Sequence, residues 1–135
     1  MRAYHSKSLS QLLKLAEKGF NSYIRKRDDK GGYFICISCG EYKRTDLGQY
    51  HAGHYLSAGH HSFTRFNENN VHGQCKRCNC FLHGNLINYR KNLIKKIGLE
   101  AVEELEEMKH RSAKHDRLAL ISTIEYYKAK IKKAA

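Results

Sequence analysis

Proline is absent from the 135 residues, and acidic side chains are scarce: 13 Asp and Glu against 25 Lys and Arg, a formal net charge of +12. The missing proline fits a largely helical shell. No apolar run approaches the length of a membrane span, and the first residues do not resemble a signal peptide, so no membrane partner and an intracellular chain are expected. Internal repeats and low-complexity linkers are also missing. At this length one domain with helical extensions is expected, with room for a modest core.

The cationic surplus points to a polyphosphate partner, because neutralised phosphates release condensed counterions. A basic surface kept for solubility is the alternative. Residues 1–35 hold eight basic and three acidic side chains, 36–98 nine and three, and 99–135 eight and seven. The polyanion-binding surface is therefore expected on the first two segments, with another task for the tail.

Ser8 or Ser10 can cap a helix in which Leu9, Leu12, Leu13, Ala16, Phe20, Tyr23 and Ile24 recur at helical spacing, ending near "RDDKGG". From Gly31 to about His83 that pattern gives way to Cys, His, Gly and Asn, with strand-like pieces at "GQYHAGHYL" and "NNVHGQ". Helices are expected again over about 79–97, through "LEAVEELEEMKH", and after a capping Asp116 with Leu118, Ile121, Ile124, Tyr127 and Ile131 along one side.

Five cysteines are present, four of them in CxxC pairs: Cys36 with Cys39, and Cys75 with Cys78. In an intracellular chain such pairs read as metal ligands rather than disulfides. A two-residue spacer turns both thiolates toward one ion, and two pairs close a structural Zn²⁺ site. Gly40 suits the tight turn of a zinc knuckle. Cys80 is the odd one, expected as a small buried side chain.

Between the pairs lie "AGHY", with His54, and "FNENNVHGQC", with Asn70; Asn79 directly follows Cys78. This order resembles the HNH nuclease superfamily with its ββα-metal fold, and more closely the phage NinG (Rap) family of recombination nucleases. The residues that carry it are "CISCG", "AGHY", "RFNENNVHGQCKRCN" and "GNLINYRKNLIKKIGLEAVEELE", covering roughly residues 33–107. The fold then expected is α+β: a small zinc-stabilised ββα-metal core over 31–98, a basic N-terminal helix over 1–30, and C-terminal helices over 99–135.

The resemblance implies an endonuclease that hydrolyses phosphodiester bonds in branched or double-stranded DNA, such as Holliday junctions and D-loops. For a phage-derived chain its compartment is the cytoplasm of the bacterial host. His54 takes the role of general base, for which a neutral imidazole is suited at physiological pH. Asn79 matches the position of a ligand to a catalytic Mg²⁺ or Mn²⁺, and Asn70 holds the His54 loop through hydrogen bonds. The reading against catalysis is a zinc-stabilised DNA-binding module in which the histidines serve structure.

Other candidates rest on spacing. His83 lies four residues after Asn79, so on a helix both project from one face, as a second ligand, a phosphate contact or an exposed histidine. Many HNH enzymes carry an acidic ligand just before the base; here Gly53 stands there, and His51 is the substitute ligand. In a regular strand His51 and His54 face opposite ways, so a bulge at Gly53 is expected to return them to one face. His72 shares a face with Asn70, as a partner to the site, a phosphate contact or a structural residue. His60 and His61 lie in the connecting loop and either touch DNA or do nothing.

Arg65 and Arg90 are the preferred phosphate contacts, because guanidinium forks suit phosphate. Lys43, Arg44, Lys76, Arg77 and Lys91 are further DNA-binding candidates. Lys95 and Lys96 continue a run that a solvated helix face also explains. The apolar stripes of the tail suggest assembly into a two-fold homodimer, matching the near two-fold symmetry of branched DNA.

Overall fold

The computed structural model describes residues 2–134, and among these the chain folds as a mixed α+β protein with four α-helices and two small antiparallel sheets. The first helix, α1 (Leu9–Asp28), starts at Ser8, whose hydroxyl accepts from the Gln11 amide while the Gln11 side chain accepts from the Ser8 amide. This reciprocal pair satisfies two amides that a helix start leaves open. Leu12, Ala16, Phe20 and Ile24 form the buried stripe of α1.

Strands β1 (Tyr33–Ile35) and β2 (Tyr42–Arg44) form a hairpin that the sequence reading did not anticipate. Strands β3 (Tyr50–His54) and β4 (Val71–Cys75) form the second sheet. They pair in unbroken register, Gly53 opposite His72 and His54 opposite Val71. The expected bulge at Gly53 is therefore absent. Glycine is required there for another reason: a Cβ would lie 1.9 Å from the Gln74 side-chain oxygen.

The helix expected from about residue 79 begins later. A π-helical turn spans Arg77–Phe81, a tight turn follows, and α2 runs Leu86–Ile97. Then come α3 (Leu99–Met108) and α4 (Arg117–Ala134), the latter capped by Asp116, which accepts from the Ala119 amide at 2.9 Å. In α4 the inward stripe is Leu120, Ile121 and Tyr127, whereas Leu118 is exposed.

Part of the tail's apolar stripes is covered within the chain, while Leu99, Leu118 and Tyr126 stay exposed. Leu120 and Ile121 pack on Leu12 and Ala16, and Tyr127 packs on Phe20 and Ile24 beside Val71. Val102 and Leu105 of α3 close on Tyr89 and Leu93 of α2 and on Ile37. Phe34 covers Cys36, Cys75 and Cys78.

A polar clamp joins α1 to β4. The Arg27 guanidinium donates to the Glu68 and Val71 carbonyls at 2.9 and 2.8 Å and to His72 Nδ1 at 3.1 Å. Asp28 accepts from Arg27, from the Gly73 amide at 2.8 Å and from Lys96 Nζ at 3.0 Å. His72 is buried and its Nε2 donates to the Asn69 carbonyl at 2.8 Å, so both ring nitrogens are engaged and the ring is structural, out of reach of a phosphate.

Burial, and then the nearby Lys96 charge, lower the His72 pKa from 6.5 to about 3. Between these values the unfolded chain binds a proton that the folded chain refuses, so stability falls as pH drops through that window. The slope attributable to His72 is up to about 1.4 kcal/mol per pH unit. Urea unfolding of the wild type and His72→Gln between pH 6.5 and 5 is expected to show the shallower acid dependence in the variant; equal slopes would contradict the assignment.

Candidate functional site

The four paired cysteines converge. The sulfurs of Cys36, Cys39, Cys75 and Cys78 all lie within 4.8 Å of one another, with Cys39 and Cys75 Sγ 4.0 Å apart. Tetrahedral zinc with bonds of about 2.3 Å needs sulfurs about 3.8 Å apart, so the cluster can hold such an ion after a small contraction. Among the described residues it is the one group of three or more His, Cys, Asp or Glu side chains with this geometry.

Local structure explains the convergence. "CISC" forms a knuckle in which the Gly40 amide donates to the Cys36 carbonyl at 2.9 Å, with Gly40 at φ +73°, a conformation that disfavours a side chain. Cys75 ends β4, and Cys78 follows on the π-helical turn. Burial disfavours the Cys36 thiolate, but backbone amides of Cys75, Cys39 and Ser38 outweigh it and hold its pKa below the ordinary thiol value. Burial and crowding push Cys39 and Cys75 up. A bound cation removes that conflict, since metal ligation deprotonates thiols outright.

Beside this cluster a cavity of about 450 Å³ opens along β3 and the loop after it, lined by residues that include His54, His61, Asn79, His83 and Gly84. His54 Nε2 donates to the Arg65 carbonyl at 2.9 Å, which leaves Nδ1 without a partner among the described residues. Burial lowers the His54 pKa; the carbonyl bond partly opposes that shift. The ring is thus neutral at physiological pH, with its free lone pair on Nδ1.

Three supports hold this strand end. The Tyr89 hydroxyl, fully buried on α2, donates to the Gly53 carbonyl at 2.6 Å. Asn70 brackets Leu56: Oδ1 accepts its amide at 2.8 Å and Nδ2 donates to its carbonyl at 2.9 Å. The Asn70 carbonyl accepts the Tyr55 amide at 2.8 Å.

Asn79 and His83 reach the cavity, though not as neighbours on a helix face. Asn79 lies in the π-helical turn, and His83, at φ +50°, precedes α2 in a turn that also holds Gly84 and Asn85 at positive φ. That conformation costs a non-glycine residue roughly 1–2 kcal/mol. The turn is pinned because the Gly84 carbonyl accepts from Ser38 Oγ at 2.9 Å and Gln74 Nε2 at 2.8 Å, and Asn85 Nδ2 approaches Cys78 Sγ at 3.5 Å. The cysteine cluster thereby fixes where His83 stands.

His51 faces away from His54, as the regular strand requires, and is not among the cavity-lining residues. Its Nδ1 accepts from Asn79 Nδ2 at 2.9 Å, an arrangement that orients the amide. Burial and the charges of Lys76 and Arg25 lower the His51 pKa. Cys80, expected to be buried, is exposed, 4.0 Å from His51 Nδ1. His60 is exposed and contacts Ser57.

The preferred arginines are already partnered: Arg65 with Glu17, and Arg90 in a two-pronged pair with Glu106 at 2.8 and 2.9 Å. Lys43 pairs with Glu41 and Arg44 with Asp46. Lys76, Arg77 and Lys91 are exposed and make no ion pair among the described residues. Sequence reasoning missed Tyr89 and Gln74, whose roles depend on contacts distant in the chain.

The fold and site define a mixed α+β protein with a four-cysteine cluster able to hold a metal ion such as zinc. The family model described as Bacteriophage Lambda NinG protein matches residues 1–135, and the chain belongs to the NinG family. It is 42% identical over 105 residues to Protein ninG of Escherichia phage lambda, which covers 78% of this chain and 48% of that relative. Protein ninG of Escherichia phage 933W is 41% identical over 105 residues, covering 78% and 49%, and that of Salmonella phage P22 41% over 100 residues, covering 74% and 46%. The chain spans about half the length of these curated relatives. No solved structure matches it. No helix among the described residues is long and apolar enough to cross a membrane.

Purified protein is expected to carry about one zinc per chain, and Cys36→Ser or Cys75→Ser to unfold much of the segment from β1 to α2, because metal binding and folding are linked in such sites. Native circular dichroism in a zinc-free Cys36→Ser/Cys75→Ser protein would rule this out.

Proposed function

We propose that the chain is a metal-dependent endonuclease of the HNH type that hydrolyses phosphodiester bonds in branched DNA, such as Holliday junctions and D-loops, in the cytoplasm of a bacterial host. The observation that carries the reading is His54: neutral, tied through Nε2 to a backbone carbonyl, and sharing a cavity with Asn79 and His83. The order of parts, a β3–β4 hairpin followed by α2 beside a four-cysteine knuckle, agrees with a ββα-metal core.

In this reading Nδ1 of His54 takes a proton from the attacking water, and the Arg65 carbonyl stabilises the ring once it becomes cationic. Asn79 and His83 would supply oxygen and nitrogen donors to a catalytic divalent ion. His51, which accepts from the Asn79 amide, positions that side chain instead of serving as a ligand. Such an ion, when bound, would supply charge stabilisation at the phosphate and the leaving 3′ oxygen. The lining includes histidines and no carboxylate, so it would hold Mg²⁺ weakly and suits an ion that accepts imidazole nitrogen more readily, as Mn²⁺ does in comparison with Mg²⁺. Lys76, Arg77 and Lys91 are free to meet phosphates, while Arg65 and Arg90 hold the fold through their acidic partners. A two-fold dimer would match the symmetry of a four-way junction.

The missing carboxylate favours one second reading, a DNA-binding module without catalysis. Single-turnover cleavage of a labelled four-way junction in Mn²⁺ separates the two. His54→Ala is expected to slow cleavage by a factor on the order of 10² to 10⁴ with melting temperature and junction affinity little changed. Asn79→Ala is expected to be impaired and partly rescued by higher Mn²⁺. Wild-type protein that cuts no branched substrate with any divalent ion would establish the binding module instead.

A further inference from the structure

The β1–β2 hairpin leaves one face bare. Tyr33, Ile35 and Tyr42 are 45%, 54% and 66% exposed, although strands of only three residues usually need their faces covered. Tyr42 stands opposite Ile35, and Tyr33 opposite Arg44, so these four side chains share the outward face. The rings of Tyr33 and Tyr42 lie 6.1 Å apart and tilted by 48°, which leaves both available to a further ring.

The apolar face continues into a basic one. Ile35 lines a cavity of about 460 Å³ whose other walls include Lys30, Lys95, Lys96 and Asn92. Lys96 is held by Asp28, whereas Lys30 and Lys95 are exposed and have no acidic partner among the described residues. Asp28 is the one acidic residue lining the cavity. None of its lining residues lines the His54 cavity.

Exposed tyrosines beside unpaired lysines match the chemistry of a single strand: bases stack on aromatic rings while cations follow the phosphates. We propose that the outward face of the β1–β2 hairpin, with Lys30 and Lys95, binds an unpaired DNA strand, Tyr33 and Tyr42 stacking on successive bases. Duplex DNA keeps its base faces hidden and cannot use the tyrosines. The surface therefore selects strands that are open at a branch point. The inference rests on DNA being the substrate, and it adds a contact separate from the cavity where cleavage is proposed.

The test is fluorescence anisotropy of the zinc-loaded 135-residue chain with labelled oligo(dT) and a blunt duplex, at one fixed salt concentration. Tyr33→Leu and Tyr42→Leu keep apolar bulk on the hairpin, and zinc content and circular dichroism check their folding. Each is expected to weaken oligo(dT) binding about tenfold and to leave duplex binding unchanged. Lys30→Gln/Lys95→Gln is expected to weaken oligo(dT) binding and flatten its salt dependence. The chain has no tryptophan, so quenching of tyrosine emission by oligo(dT), lost in part in each variant, gives a second readout.

Unchanged oligo(dT) affinity in both tyrosine variants would overturn the proposal. So would a dimer, measured by light scattering, that the tyrosine substitutions split without altering oligo(dT) binding; the face would then join two copies of this chain. His54→Ala is expected to bind oligo(dT) as the wild type does. Tyrosine-dependent strand binding by a protein that never cuts DNA would sink the nuclease reading and keep this one, and the reverse result would do the opposite.

Discussion

Four sulfurs held within 4.8 Å of one another are the constraint on which the rest of the structure depends. Without a cation the site is in conflict, because buried thiols raise one another's pKa while backbone amides favour a thiolate at Cys36. With a cation it becomes the junction of three segments: the knuckle after β1, the end of β4, and the π-helical turn that precedes α2. The core around it is small, with Phe34 as the main cover, so a metal ion held by the four cysteines would add to apolar burial in closing this part of the chain. Elsewhere the packing is conventional, α4 lying on α1 and α3 on α2.

The candidate site inherits its geometry from that junction. Cys78 leads directly into Asn79, and the strained turn bearing His83 is tied back to Ser38 of the knuckle, to Gln74 of β4 and to a cysteine sulfur. Tyr89 anchors β3 one residue before His54, and the Arg65 carbonyl selects the tautomer. The arrangement has been set by backbone carbonyls and amide side chains, with no carboxylate lining the cavity. A histidine in such surroundings stays neutral, and any metal ion beside it meets only neutral donors.

Features governed by near neighbours were legible in the sequence. The Ser8 cap, the Asp116 cap and the two CxxC pairs depend on residues within one turn of each other, and the strand-like pieces 48–56 and 69–74 overlap β3 and β4. The misreadings have a common cause in distant contacts. Gly53 resembles a bulge until Gln74 is placed beside it. His83 sits at helical spacing from Asn79, but the Gly84 carbonyl is drawn toward Ser38 and Gln74, so the helix begins late. Cys80 looks like core because cysteine usually is, yet the π-helical turn leaves it outside. The β1–β2 hairpin, three residues a side, is too short for any periodic signal. Arg65 and Arg90 suited phosphate by type, and only the fold reveals Glu17 and Glu106 as their partners.

The fold delivers His54 to the cavity as a neutral ring with Nδ1 free. Nitrogen-15 NMR of the imidazole rings across a pH titration measures both properties in the zinc-loaded protein. The predicted result is a ring protonated on Nε2 alone at neutral pH, with a pKa below the ordinary histidine value because it is buried. A His54 ring carrying its proton on Nδ1, or doubly protonated at pH 7, would contradict it.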